Sequence, residues 1–147
     1  MVDERRIARL LQRIASELSY LQARAADDRA RLRGDVERLS GLKYRYVTTI
    51  EGVINVAQHL CASEGWGPPK DNADAVRLLG RHDVVDPQLA ERLAQAVGFR
   101  NLLVHQYADV DDDRVVAFLD EIGTLERFVQ ETSAWLRPAP DTTDSSD

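Results

Sequence analysis

The sequence predicts an all-α fold, an antiparallel helical bundle of four to five helices. Three observations predict it. Apolar residues recur at three- and four-residue steps over long stretches, which is the period of one helix face. Strong stop and start signals separate those stretches. No stretch alternates with the two-residue period of a strand, and no internal repeat is present. With 147 residues the chain suits one domain around a single core. Aromatic residues make up only 6% while Leu, Ala and Arg are abundant, a mix that leans helical.

The first helix is expected from about Asp3 to Ala25, with Ile7, Leu10, Leu11, Ile14, Leu18 and Leu21 along one face. Asp3 and Glu4 suit the positive end of its dipole. A long second helix starts near Asp27 and Asp28 and persists to Glu64, its stripe running from Leu32 through Tyr46 and Ile54 to Cys61. Gly34, Gly41 and Gly52 weaken it locally and predict a bend. Gly65-Trp66-Gly67-Pro68-Pro69 ends it. A short third helix fits Asn72 to about Leu79. Asp86-Pro87 opens the fourth, the Asp as cap and the Pro at the first helical position. Asp111-Asp112-Asp113 opens a fifth, with a stripe from Val115 to Trp135. The helical domain thus spans 1–137, and the acidic tail 138–147, without apolar residues to hold it, is expected to be disordered.

Charge and composition narrow the function. The N-terminus is charged from the start and no apolar run approaches the ~20 residues of a membrane span, so a cytoplasmic protein without a membrane partner is expected. The lone Cys61 excludes an internal disulfide and sits in an apolar stripe, so packing is its expected role, with a catalytic thiol as the alternative. The net charge of −6 argues against indiscriminate nucleic-acid binding. Residues 1–50 nevertheless carry eleven Lys and Arg against seven Asp and Glu, and residues 51–147 eight against eighteen. An RNA-facing surface would therefore draw on the first half plus Arg100, although the same arginines also suit two solvated helix faces. His59, His82 and His105 lack metal-ligand spacing, and there is no Gly-rich phosphate loop. Neither a metal nor another cofactor is expected. His82 is expected to be merely exposed, and Trp66 and Trp135 to pack in a core or an interface.

The informative segment is Gly98-Phe99-Arg100-Asn101-Leu102-Leu103-Val104-His105-Gln106-Tyr107, near the end of an apolar helix. Arg is always charged and forks onto phosphate oxygens. His exchanges a proton near neutral pH. Cleavage of RNA by its own 2′-hydroxyl needs those two services, a base for the proton and a cation for the charge gathering on phosphorus. On an ideal helix five residues turn ~500°, so Arg100 and His105 point ~140° apart and flank a groove. A distorted helix end near Ala108 and Asp109, or a two-fold dimer, would close the gap. Alone, Arg-x4-His is a weak signal, and a structural His at a helix end is the competing reading.

The wider sequence resembles the HepT-like family of the HEPN superfamily. Tyr44-Arg45-Tyr46-Val47-Thr48-Thr49-Ile50-Glu51, running into Val56-Ala57-Gln58-His59-Leu60, the Gly/Pro break after it, and the Arg-x4-His-x-Tyr run carry the resemblance over roughly residues 3–136. It implies a homodimeric helical bundle with its cleft at the dimer interface, acting as a metal-independent endoribonuclease on tRNA or mRNA. It implies the toxin half of a type VII-like toxin–antitoxin pair, beside an MntA-type minimal nucleotidyltransferase that transfers AMP onto the motif tyrosine. Carried over, Arg100 and His105 are catalytic, Asn101 is the supporting polar residue and Tyr107 accepts AMP. Tyr44, Arg45 and Tyr46 either line the cleft or pack, and Gln58 and His59 belong to a buried polar set or the dimer seam. The alternatives are a catalytically silent HEPN module that only holds its partner, and a nucleotide-binding partner of that enzyme.

Overall fold

The computed structural model describes residues 2–137; the tail 138–147, expected to be disordered, lies outside the described residues. Seven α-helices and one 3-10 turn follow each other with no strand among those residues: α1 (Glu4–Ala25), α2 (Arg29–Arg33), α3 (Val36–Glu64), α4 (Asn72–Arg81), α5 (Pro87–His105), α6 (Asp112–Ala117), the 3-10 turn (Phe118–Glu121) and α7 (Ile122–Leu136). The all-helical expectation holds. Two of the long helices are divided.

The expected second helix begins where Asp28 caps it, through a hydrogen bond from the Ala30 amide, but it stops after five residues. Asp35 then caps α3 afresh by accepting from the Arg38 amide. Gly34 followed by an N-capping Asp favours ending one helix and starting another over a bend. The fully buried Leu32 holds the short segment to the core. Gly41 and Gly52, by contrast, lie inside an unbroken α3. They are small because α1 lies against them: a Cβ on Gly52 would stand 2.8 Å from Ile14 Cγ1, and one on Gly41 2.5 Å from Tyr20 Oη. Gly65, at φ 69°, supplies the left-handed residue that closes α3, as expected.

The other division lies between α6 and α7. Asp111 caps α6 as expected. The Tyr46 hydroxyl then donates to the Val115 carbonyl at 2.7 Å, and Arg29 Nη1 donates to the Val116 carbonyl at 3.2 Å. Side chains from two other helices occupy acceptors that the next helical turn would use, and the chain tightens into a 3-10 turn before resuming. Tyr46 also forms an aromatic cluster with Phe99 and Phe118, at ring-centroid distances of 5.9 and 4.8 Å. That cluster joins α3, α5 and the 3-10 turn, and each fully buried ring or aliphatic chain adds roughly 1.5–3 kcal/mol of burial.

Helix α3 is the centre of the bundle, in contact with α1, α4, α5 and α6. Glu17 pairs with Arg45 while Ile14 meets Gly52, so α1 and α3 are antiparallel. Arg100 pairs with Glu51 while Tyr107 meets Ser40, so α5 and α3 are antiparallel as well. The loop after Gly65 doubles back, laying Ala75 beside Cys61 and Asn72 beside Gln58. No helix among the described residues is long and apolar enough to cross a membrane.

Candidate functional site

The Asp86 side chain accepts from the Leu89 amide, with Pro87 in the first turn, so the sequence starts α5 where expected. Leu89, Leu93, Ala96, Val97, Phe99 and Leu103 face the core. That face sets the direction of the motif. With Phe99 and Leu103 turned inward, Arg100 swings toward α3 and His105 emerges as the last helical residue.

Arg100 is mostly buried, its side chain 22% exposed. Its Nη2 donates to Glu51 Oε1 at 3.0 Å and its Nη1 to Asn101 Oδ1 at 2.9 Å. Two acceptors on different atoms fix the plane of the guanidinium. Its Nε is buried without a hydrogen-bond partner among the described residues. The cation is thus held and oriented, with the second hydrogens of Nη1 and Nη2 unspent beside the buried Nε–H. Asn101, singled out from the sequence, touches Arg100 directly. Glu51 received no role in the sequence reading.

His105 is exposed and makes no hydrogen bond or ion pair among the described residues. No bond joins it to Arg100; within one chain the two sit at different heights on different sides of α5. The helix also ends sooner than the expected distortion at Ala108 and Asp109. The Gln106 amide donates to the Leu102 carbonyl at 2.8 Å, and the chain turns at once, the Asp109 amide donating to the Gln106 carbonyl. Tyr107, 44% exposed, folds back on the start of α3. Its hydroxyl donates to the Ser40 carbonyl at 3.2 Å. Lys43, itself buried, donates to the Tyr107 carbonyl at 2.9 Å and stands 5.0 Å from the ring centroid.

The neighbouring sequence candidates divide. Tyr46 belongs to the core, and burial pushes its phenol pKa up. Arg45 turns to α1, where it pairs with Glu17 at 2.9 Å, and the bond to that carboxylate holds its pKa high. Tyr44 stays 60% exposed. Cys61 is buried with its thiol directed at the Ala75 carbonyl, and burial raises its pKa, which keeps it a thiol and fits packing. His82 is exposed as expected, but it is not without contacts. It is stacked on Trp66 at 4.2 Å with the rings 2° from parallel, because the loop after α3 returns past the end of α4. His59 Nε2 is buried without a hydrogen-bond partner among the described residues. Gln58 does belong to a polar set, donating to Asn72 Oδ1 at 3.1 Å.

Arg100, Glu51 and Gln58 share an open recess of about 400 Å³ with Ile54, Asn55 and Asn72. Glu51 and Asn55 also border a second groove, between α1 and α3, that carries Arg13 and Tyr44. A signal for this surface was present in the sequence. Ser40, Tyr44, Val47, Glu51, Asn55 and Gln58 recur at three- and four-residue steps on α3, beside the apolar stripe. Asn72 carried no such signal, since it reaches the recess only through the returning loop. Among the described residues, no three His, Cys, Asp or Glu side chains are grouped as a metal site would need.

A central long helix, a return loop, and a motif helix presenting an oriented Arg and an exposed His define a HEPN-type helical bundle. Within that class the chain belongs to the HepT-like family, described as ribonuclease HepT-like, whose model matches residues 5–132. A relative from Archaeoglobus fulgidus, whose name marks it as a candidate RNase, is 29% identical over 120 residues, 81% of this chain and 89% of that protein. The tRNA nuclease HepT of Aphanizomenon flos-aquae is 32% identical over 87 residues, 58% of this chain and 59% of that protein. Among solved structures, the tri-AMPylated HEPN toxin of Shewanella oneidensis, in complex with the MNT antitoxin, matches with a TM-score of 0.80 at 23% identity, over 91% of this chain and 99% of that one.

Proposed function

We propose that this chain is the endoribonuclease toxin of a toxin–antitoxin pair, cleaving RNA without a metal through Arg100 and His105. The observation that carries the reading is the state of the motif: Arg100 is fixed by Glu51 and Asn101 with a donor to spare beside an open recess, and His105 stands free at the end of the same helix. In the proposed reaction His105 removes the proton from a ribose 2′-hydroxyl. The 2′-oxygen attacks the adjacent phosphorus, the bond to the 5′-oxygen breaks, and that oxygen takes up a proton. The products are a 2′,3′-cyclic phosphate and a 5′-hydroxyl end. Arg100 matches the extra negative charge on the phosphorus oxygens while the bond is changing.

A homodimer serves this chemistry, because one chain leaves Arg100 and His105 apart and a two-fold axis brings two sets to one cleft. The large apolar side chains that stay exposed support it. Val36, Tyr44, Val104 and Tyr107 all lie on the first part of α3 or within the motif. Tyr107 is proposed as the AMP acceptor for an MntA-like nucleotidyltransferase. Its hydroxyl is at the surface and held by one bond to a carbonyl, so a partner enzyme can capture it. Each adduct would add a negative phosphate and a bulky base at the end of α5, two residues past His105, and block RNA there.

Purified chain incubated with tRNA and mRNA in excess EDTA tests the reading. Cleavage with cyclic-phosphate ends, lost in Arg100→Ala and His105→Ala, is the expected result. Loss on chelation, restored by a divalent ion, would overturn the mechanism. Light scattering is expected to report about twice the 16.5 kDa monomer mass.

A further inference from the structure

The recess beside Arg100 contains more than the proposed chemistry uses. Ile54 is the apolar residue of its lining. Its wall is built from the side-chain amides of Asn55, Gln58 and Asn72. Gln58 and Asn72 are joined to each other, Gln58 Nε2 donating to Asn72 Oδ1 at 3.1 Å. That bond has a consequence for what is left over. It uses one donor of Gln58 and one acceptor of Asn72, so Gln58 Oε1 keeps its acceptor capacity and Asn72 Nδ2 its donors. Neither atom has a hydrogen-bond partner among the described residues. The pair is therefore an acceptor next to a donor, supplied by the consecutive helices α3 and α4 and held in register by their mutual bond. The carboxylate at the rim, Glu51, is engaged by Arg100.

We infer that this recess is a nucleobase subsite, in which Gln58 and Asn72 read the edge of one unpaired RNA base while Arg100 holds the neighbouring phosphate. Single-stranded RNA is recognised by placing splayed bases against apolar or aromatic surface and hydrogen-bonding their edges. The Watson–Crick edge of each base presents a donor beside an acceptor, and their order separates A and C from G and U, so a rigid acceptor–donor pair discriminates among them. Neutral amides suit this task where a lysine or arginine would bind phosphate regardless of sequence. The recess adjoins Arg100, so a base seated there belongs to a nucleotide next to the scissile phosphate. The inference rests on the ribonuclease reading for its ligand, and concerns which sequence is cut.

The test is binding of the four nucleoside 3′-monophosphates to the full-length protein, measured by calorimetry. Wild type is expected to prefer one base over its poorest competitor by roughly five- to a hundredfold. Gln58→Met keeps length and packing but removes the amide, and Asn72→Ala removes the other partner. Either is expected to bring the four affinities to within about twofold of one another, with unchanged melting temperature reporting an intact fold. Arg100→Ala is expected to weaken all four in parallel and preserve their order. Asn55→Ala, at an exposed position on the rim, is expected to shrink the preference without abolishing it. Equal binding of the four by wild type, or an unchanged preference in both amide variants, overturns the subsite. The ribonuclease reading stands or falls separately, on the cleavage assay.

Discussion

The two ends of the motif are built differently although five residues apart on one helix. Arg100 is mostly buried, bonded to Glu51 and Asn101, and surrounded by polar groups of α3 and α4. His105 is exposed, unbonded among the described residues, and followed at once by a turn. The difference teaches how such a site is divided between one fold and its surroundings. The cation must be oriented before substrate arrives, because a mobile guanidinium would lose freedom on binding and weaken the transition-state contact. If His105 is the proton acceptor, as proposed, it must be reachable, and its final position is set by what covers the end of α5. On the proposed reading that cover is a second copy of the chain.

Five substitutions break or sharpen this comparison. The largest effect is expected from the motif itself: His105→Ala and Arg100→Ala should each lower RNA cleavage about 10²–10⁴-fold in single-turnover assays. They should differ in stability. Thermal melting of His105→Ala should match wild type, whereas Arg100→Ala leaves Glu51 and Asn101 without their partner and should melt lower. Equal melting temperatures would show that the two ends are not built differently after all.

Glu51→Gln comes next. It replaces a charge-assisted bond by a neutral one while keeping the shape. A cleavage rate down about tenfold, equivalent to 1.4 kcal/mol of transition-state stabilisation, with the KM no higher, is the expected outcome. A rise in rate would mean that Glu51 restrains Arg100 rather than orienting it.

Tyr46→Phe tests the frame behind the motif. It leaves the Val115 carbonyl without its 2.7 Å bond, so stability measured by urea denaturation should fall about 1–3 kcal/mol with cleavage retained under folding conditions. The smallest effect on cleavage is expected from Tyr107→Phe, which removes only the hydroxyl bonded to Ser40. Intact-mass measurement after incubation with an MntA-like partner and ATP should show AMP on wild type and none on the variant. The same mass gain on both would remove Tyr107 as the acceptor.

Much of this was legible in the chain. The stripes from Ile7 to Leu21 and from Leu39 to Cys61, the Gly65 stop, the Asp86-Pro87 start and the Asp111 cap are local properties, decided by helical period and by which residues satisfy open helix ends. Arg100 with Asn101 at its side was legible for the same reason, since neighbours on one helix stay neighbours in the fold. The second helix broke for a local reason as well, at Gly34 and Asp35; elsewhere long-range contacts added what the sequence did not show. The expected fifth helix is divided because Tyr46 and Arg29 take its carbonyls. His82 is not a bare surface residue because a loop carries Trp66 onto it.

By itself, then, the sequence determined a helical bundle and its principal starts and stops, because helical period and capping act within a few residues; the run from Arg100 to Tyr107 stood out through its resemblance to a family. Tertiary structure alone decided that Glu51 would hold Arg100, that Lys43 and Ser40 would hold Tyr107, and that Gln58 and Asn72 would meet beside them. Those partners stand 49, 64, 67 and 14 residues apart in the chain. Only the antiparallel packing of α5 on α3 and the return of the chain after Gly65 bring them within bonding distance, and no local rule of sequence encodes that approach.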